Sequence, residues 1–208
     1  TYRDTVNQPE KNQCIINVLE VSFYAPTIIS NVIVDNICAD DAQFRMRAYY
    51  SGNRPTTYSL EFDDHARAEG FKNILDAPFE DIIVGPIPQF DGSDYVRPDY
   101  YKALLTVDNT LCAKTESAQY EVQLLVRYPS WIIEQNWNDV VALLNENYNG
   151  GYRFSKYEWI VNNNMTGNYL SYLYLPTTLG SGDEVAISLT REGENYAVPS
   201  CPIVIYDK

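Results

Sequence analysis

An all-β fold of two consecutive β-sandwich domains, the second immunoglobulin-like, is what this sequence predicts, on three observations. Apolar residues alternate with a period of two in segment after segment. Turn residues separate those segments at the spacing of sandwich strands. A lone tryptophan, Trp159, stands in the middle of a strand in the second half.

The alternation carries most of the weight. Phe44, Met46, Ala48 and Tyr50 fall on one face of a strand, with Arg45, Arg47 and Tyr49 on the other. Tyr58, Leu60 and Phe62 oppose Thr57, Ser59 and Glu61, and Tyr120, Val122, Leu124, Val126 and Tyr128 oppose Glu121, Gln123, Leu125 and Arg127. Such strands are half-buried and antiparallel. The chain has 18 tyrosines against 7 phenylalanines, and rings with a polar tip suit strands with one wet face. Ser51-Gly52-Asn53-Arg54-Pro55, Asp91-Gly92-Ser93-Asp94, Asn149-Gly150-Gly151 and Ser181-Gly182-Asp183 supply the turns.

Two stretches admit a helix. Residues 63–70 open on Asp63-Asp64 and close on Gly70, the pattern of a short capped helix. In residues 131–147, Ile133, Trp137, Val140, Val141 and Leu144 have helical spacing, yet 140–144 is also an apolar run of strand length. The turn at 147–151 and the strand through Trp159 follow it, so a hairpin is the reading adopted. Tyr128-Pro129-Ser130 interrupts an unusually long strand, and no Ser/Gly linker follows. The proline removes a ladder donor and holds Tyr128 extended, which places a stiff domain boundary between residues 1–128 and 129–208.

In the second domain Tyr157, Trp159 and Val161 share a face, and Val185, Ile187 and Leu189 alternate. Tyr128-Pro129-Ser130, Glu134-Gln135-Asn136-Trp137-Asn138-Asp139-Val140, Asn149-Gly150-Gly151-Tyr152, Tyr157-x-Trp159 and Ser171-Tyr172-Leu173-Tyr174 follow in order. This series resembles the carboxy-terminal, Ig-like or PKD-like module of exported, uncharacterised proteins of Bacteroides type. In the first half, Ile-Cys-Ala-Asp-Asp at 37–41 and Arg-Pro-Asp-Tyr at 97–100 resemble elements of the same group. The resemblance implies a two-module, β-rich protein of the cell envelope or exterior, and brings no activity with it.

Charge excludes one class of partner. Fifteen Lys plus Arg against 28 Asp plus Glu give a net charge of −13, which repels phosphate backbones, so no nucleic acid is expected. No apolar run approaches the roughly 20 residues of a membrane helix, so the chain is not expected to span a bilayer. Residues 1–11 hold no apolar stretch, so an export signal is expected to be absent or removed.

Cys14, Cys38, Cys112 and Cys201 form no C-x-x-C pair, so a soft-metal site is not expected. The even count fits export with disulfides or four buried thiols. Cys38 with Cys112 is the preferred pair, each beside a strand of the first domain, and no preceding cysteine is expected to reach Cys201. Acidic loops at 40–41 and 91–94 fit calcium in composition but not in EF-hand spacing. No metal or cofactor is therefore expected.

His65 is the sole histidine, beside Asp63 and Asp64, so any His-dependent nucleophilic scheme must run through it, and no G-x-S-x-G is present. Glu61, Asp63, Asp64, Glu134 and Asp139 could furnish the paired carboxylates of a carbohydrate-active enzyme, the alternative function. The principal expectation is non-catalytic: an exported or cell-surface protein acting in binding, in adhesion or as a structural spacer, its partner a surface glycan or protein. Tyr49, Tyr100, Tyr172 and Tyr174 are the candidate ligand-binding rings. In each Tyr-Tyr pair one ring must face in if the other faces out, and Trp131 and Trp137 could instead seal the interdomain contact. Asn164-Met165-Thr166 has the form of an N-glycosylation acceptor.

Overall fold

The computed structural model describes residues 2–3, 14–15, 25–85, 96–109, 116–175 and 179–207, and the fold they form is all-β. In chain order, β1 (Tyr2–Arg3) and β2 (Cys14–Ile15) pair with each other. β3 (Ile28–Val34), β4 (Ile37–Cys38), β5 (Phe44–Ser51) and β6 (Thr57–Phe62) lead to the short helix α1 (Asp64–Ala68). β7 (Ile74–Pro78), β8 (Ile82–Val84), β9 (Asp99–Asn109) and the long β10 (Glu116–Arg127) follow. After a 3-10 turn at Ser130–Ile132 come β11 (Ile133–Trp137), β12 (Val140–Leu143), β13 (Phe154–Val161), β14 (Asn164–Met165), β15 (Tyr172–Tyr174), β16 (Glu184–Arg191), β17 (Val198–Pro199) and β18 (Ile203–Val204).

The alternation dictates which faces are buried. Sheets β4-β10-β9-β6-β7 and β3-β5-β8 turn Phe44, Met46, Leu60, Phe62, Leu105, Val122 and Leu124 toward one another in a first apolar cluster, whose members run from Ile37 to Val126. Sheets β11-β12-β15 and β14-β13-β16-β17, the latter with β18 also on β16, enclose a second cluster from Tyr128 to Ile205. Trp159 is at its centre, fully buried, with its indole N–H donating to the Leu170 carbonyl at 2.8 Å. That bond satisfies the ring's one polar atom, which makes so deep a burial affordable.

Helix α1 forms as its sequence requires. Asp63 is the N-cap and accepts from the Ala66 N–H at 2.8 Å, and Gly70 takes a positive φ of 96° just past the end. Residues 140–143 are a strand, but their partners differ from the hairpin expected. β12 pairs antiparallel with β11 across the Asn138–Asp139 turn and with β15 on its other side, while the Trp159 strand pairs with β14 and β16. Alternation specifies a buried face and leaves the neighbour open.

The disulfide is a second correction. Cys38 is bonded to Cys201, with Cα atoms 5.9 Å apart and a sequence separation of 163, and not to Cys112, which lies outside the described residues. Strand β4 lies parallel to the end of β10, Arg127 opposite Cys38, and the next residue, Tyr128, bridges in parallel to Ser200. The Cys201 N–H donates to the Tyr128 carbonyl at 2.7 Å. The end of β10 therefore brings two cysteines together that no local pattern relates. The side chain of Cys14 is not among those described.

Candidate functional site

The outer face of the β11-β12-β15 sheet is an aromatic platform. Register aligns Gln135, Val141 and Leu173 in one row, all buried, the latter two as members of the second cluster. Adjacent rows must then face outward. One holds Glu134, Ala142 and Tyr172, and the other Trp137, Val140 and Tyr174. Trp137 is 66% exposed, Tyr174 55% and Tyr172 47%. Two interstrand spacings separate Trp137 from Tyr174, about 10 Å, and two residues along β15 separate the tyrosines by about 7 Å. Val140 and Ala142 give the floor between the rings low relief, and Glu134 is the single charge in the two rows.

Of the four tyrosines read from the sequence, Tyr172 and Tyr174 share this face. Tyr49 is exposed on β5, in a sheet around the other cluster, while its neighbour Tyr50 packs edge-on against Phe79. Tyr100 is half-exposed but engaged, donating from its hydroxyl to the Ala197 carbonyl at 3.1 Å with its ring against Tyr196. Its partner Tyr101 is buried, so both Tyr-Tyr pairs split in and out as alternation demands. Trp137, for which the sequence also allows a seal between the halves, is 66% exposed and lies in the outward row of this face. A β-bulge between Gln135 and Trp137 shifts the register there, and the bulge has no signature in the sequence.

Where the two clusters meet, the side chains are polar. Asp99 is 3% exposed and Arg191 6%, and an Arg191 Nη2–Asp99 Oδ2 hydrogen bond of 3.1 Å joins them. Asp99 also accepts from the Tyr196 hydroxyl at 2.9 Å and the Tyr100 N–H at 2.8 Å, and His65 Nε2 lies 3.5 Å from Oδ2. Glu194 accepts from Arg191 Nε at 2.8 Å and from Arg97 at 2.9 Å. Burial opposes the charge on Arg191, but the Glu194 hydrogen bond and the charges of Glu194 and Asp99 outweigh it, so its proton is held more firmly than usual. The sequence element Arg97-Pro98-Asp99-Tyr100 thus supplies three members of this junction. His65 stacks on Tyr101 at 4.9 Å and belongs to the same cluster.

Two buried phenols border the junction. Burial, with the nearby Glu69 and Asp99 charges, pushes the Tyr101 phenol well above its ordinary value of 10.0. Burial raises Tyr128 likewise, against the lowering influence of Arg191. A group whose pKa is raised on folding contributes stability that is complete below its unfolded value and fades as pH climbs toward the folded one. Stability is therefore expected to fall from about pH 10 upward. A phenolate absorbance titration run beside circular dichroism checks this: two of the 18 tyrosines should ionise only as the fold is lost. A single reversible step with the fold intact would contradict it.

The carboxylates considered for catalysis have other duties or separate places. Asp63 caps α1, Asp64 pairs with Arg67, and Glu61 is exposed on β6, whereas Glu134 and Asp139 lie on β11 and in the β11–β12 turn. Asp41 accepts from the Cys38 N–H at 2.7 Å, so that acidic pair serves a turn, and the 91–94 loop lies outside the described residues. Among the described residues, no group of three or more His, Cys, Asp or Glu could hold a metal ion, and no helix is long and apolar enough to cross a membrane.

The sequence matches no protein-family model and no curated protein. Among solved structures it is similar to Tp47, the 47-kilodalton lipoprotein of Treponema pallidum, with a TM-score of 0.36 and 12% identity. The match covers 90% of this chain and 53% of that one, so the chain spans about half the length of that protein.

Proposed function

We propose that this chain is a non-catalytic binding protein of the cell exterior, built of two β-sandwich modules with an Ig-like second one, and that its aromatic platform takes neutral polysaccharide. The observation that carries the reading is the outward row of Trp137, Val140 and Tyr174 beside Tyr172. Flat rings pack on the C–H faces of sugars, and two rings about 10 Å apart suit alternate units of an extended glycan. A net charge of −13 and a lone carboxylate on the platform disfavour a polyanion. The Cys38–Cys201 bond supports an oxidising, extracytoplasmic setting.

The test is retention on a panel of immobilised neutral polysaccharides. The intact chain should be retained saturably by at least one. A Trp137→Ala, Tyr174→Ala double variant should bind roughly thirtyfold more weakly, at about 1 kcal/mol per lost ring contact. Its thermal midpoint should stay near that of the parent, since both rings are exposed. Equal retention of parent and variant would remove the platform from the proposal.

A further inference from the structure

The second cluster has another outer face, on the opposite sheet, and it is concave. A cleft of about 420 Å³ lies over β13 and β16, lined by Ser155, Lys156, Glu158, Tyr169, Ser188 and Thr190 among others. Register builds its floor: Lys156 is opposite Thr190, and Glu158 opposite Ser188. Trp159, with Ile187 and Leu189 across the ladder, faces the core, which turns Lys156, Glu158 and Ser188 to the other side, while Thr190, 6% exposed, closes the floor beneath Lys156. The segment following β14 forms one wall, held to β13 by the Trp159 N–H donating to the Asn168 carbonyl at 3.2 Å. It carries Tyr169, which is 66% exposed.

We infer that this cleft is a second binding site, and that it takes a single neutral pyranose unit. Lys156 and Glu158 are two residues apart on one face, yet neither spends its charge on an ion pair or side-chain hydrogen bond with a described residue. An ammonium only donates and a carboxylate only accepts, whereas a sugar hydroxyl does both, so neighbouring hydroxyls can satisfy the two groups together. The Ser188 hydroxyl adds a group of either sense, while that of Ser155 already donates to the Thr190 carbonyl at 3.3 Å. Tyr169 offers the apolar face that the ring's C–H groups need. An anion would meet Glu158 and a cation Lys156, so opposite charges on one floor select a neutral ligand. The volume is at the lower end for small-ligand clefts, which fits one ring and not a chain. The ligand class rests on the glycan reading of the platform, but the site does not share its residues.

The experiment is an amide NMR titration of the intact, oxidised chain with methyl glucoside, methyl galactoside and methyl mannoside in turn, with glycine as a zwitterionic control. At millimolar concentration, one glycoside should shift the amides of Lys156, Glu158, Ser188 and Tyr169 along a saturable curve. Glu158→Gln and Tyr169→Ala should each weaken that binding roughly tenfold, while Trp137→Ala, Tyr174→Ala leaves it unchanged. Both cleft substitutions are at the surface, and undisturbed amide dispersion confirms folding. No saturable shift at these residues, shifts unaffected by both variants, or a response to glycine alone would each overturn the inference. Polysaccharide retention lost in the platform variant alongside a silent cleft would leave the platform reading standing. The converse result would remove the platform and keep the cleft.

Discussion

Replacing Cys38 and Cys201 by serine is expected to lower stability by about 4–5 kcal/mol. The bond closes a loop of 163 residues, and chain-entropy arguments make the constraint on the unfolded state grow with the logarithm of loop length. For a chain of this size the thermal midpoint should fall by roughly 10–20 °C. Cys201 is buried and its N–H is bonded to Tyr128, so the vacated space should add to the loss, not offset it. Calorimetry of the oxidised parent, the reduced parent and the double serine variant checks the prediction. Reduction opens every disulfide of the chain whereas serine removes this bond alone, so the loss in the double serine variant is the one that measures it. A midpoint shared by all three would mean that the surrounding hydrogen bonds hold the junction without the covalent link.

The second expected effect is at Asp99. Asp99→Ala leaves Arg191 with Glu194 as its remaining charge partner and deprives the Tyr196 hydroxyl and the Tyr100 N–H of their acceptor. Removing one partner of a buried pair typically costs about 3–5 kcal/mol, because the other charge stays desolvated. The lower end applies here, since Glu194 persists, for a fall in midpoint of roughly 6–12 °C. Replacing both partners, Asp99→Ala with Arg191→Met, should recover a good part of that, because an apolar side chain of similar length needs no counterion. Arg191 Nη1 already lacks a hydrogen-bond partner among the described residues, so the arginine is not fully satisfied even in the parent. Urea unfolding of the four proteins in a double-mutant cycle gives the coupling directly. A loss below about 1 kcal/mol for Asp99→Ala would show that the network is ornamental to stability.

How far the sequence could be read follows from the range of each signal. Met46, Leu60, Val122 and Ile187 declare their burial through neighbours two residues away, and all four are buried. Asp63 and Gly70 likewise mark α1 within eight residues. Asp99 and Arg191 are 92 residues apart, and Cys38 and Cys201 are 163 apart, so their meeting depends on where β4, β10 and β17 come to lie. Period-two patterning is silent on that choice. The candidate site divides in the same way. Tyr172 and Tyr174 could be read as one face because they are two apart, but Trp137 joins them only through the ladder across β12 and the bulge that turns it outward. Lys156 and Glu158 were equally visible as an i, i+2 pair. What gives them meaning is Tyr169, which arrives from the segment beyond β14.

The covalent link between Cys38 and Cys201 also has a mechanical side. Tension applied along the chain from outside those two positions passes through sulfur, bypassing the polypeptide between them. A strand of 163 residues would otherwise pay out roughly 550 Å of contour length when pulled straight. With the bond closed that length stays locked, and the polar junction, the platform and the cleft lie in the shielded part of the chain, as do both apolar clusters apart from Ile37 and Ile205 and the residues of β3 and β18 that pack on them. Under load the oxidised molecule thus keeps the whole segment from Cys38 to Cys201 unextended, and its aromatic platform and polar cleft carry none of the force.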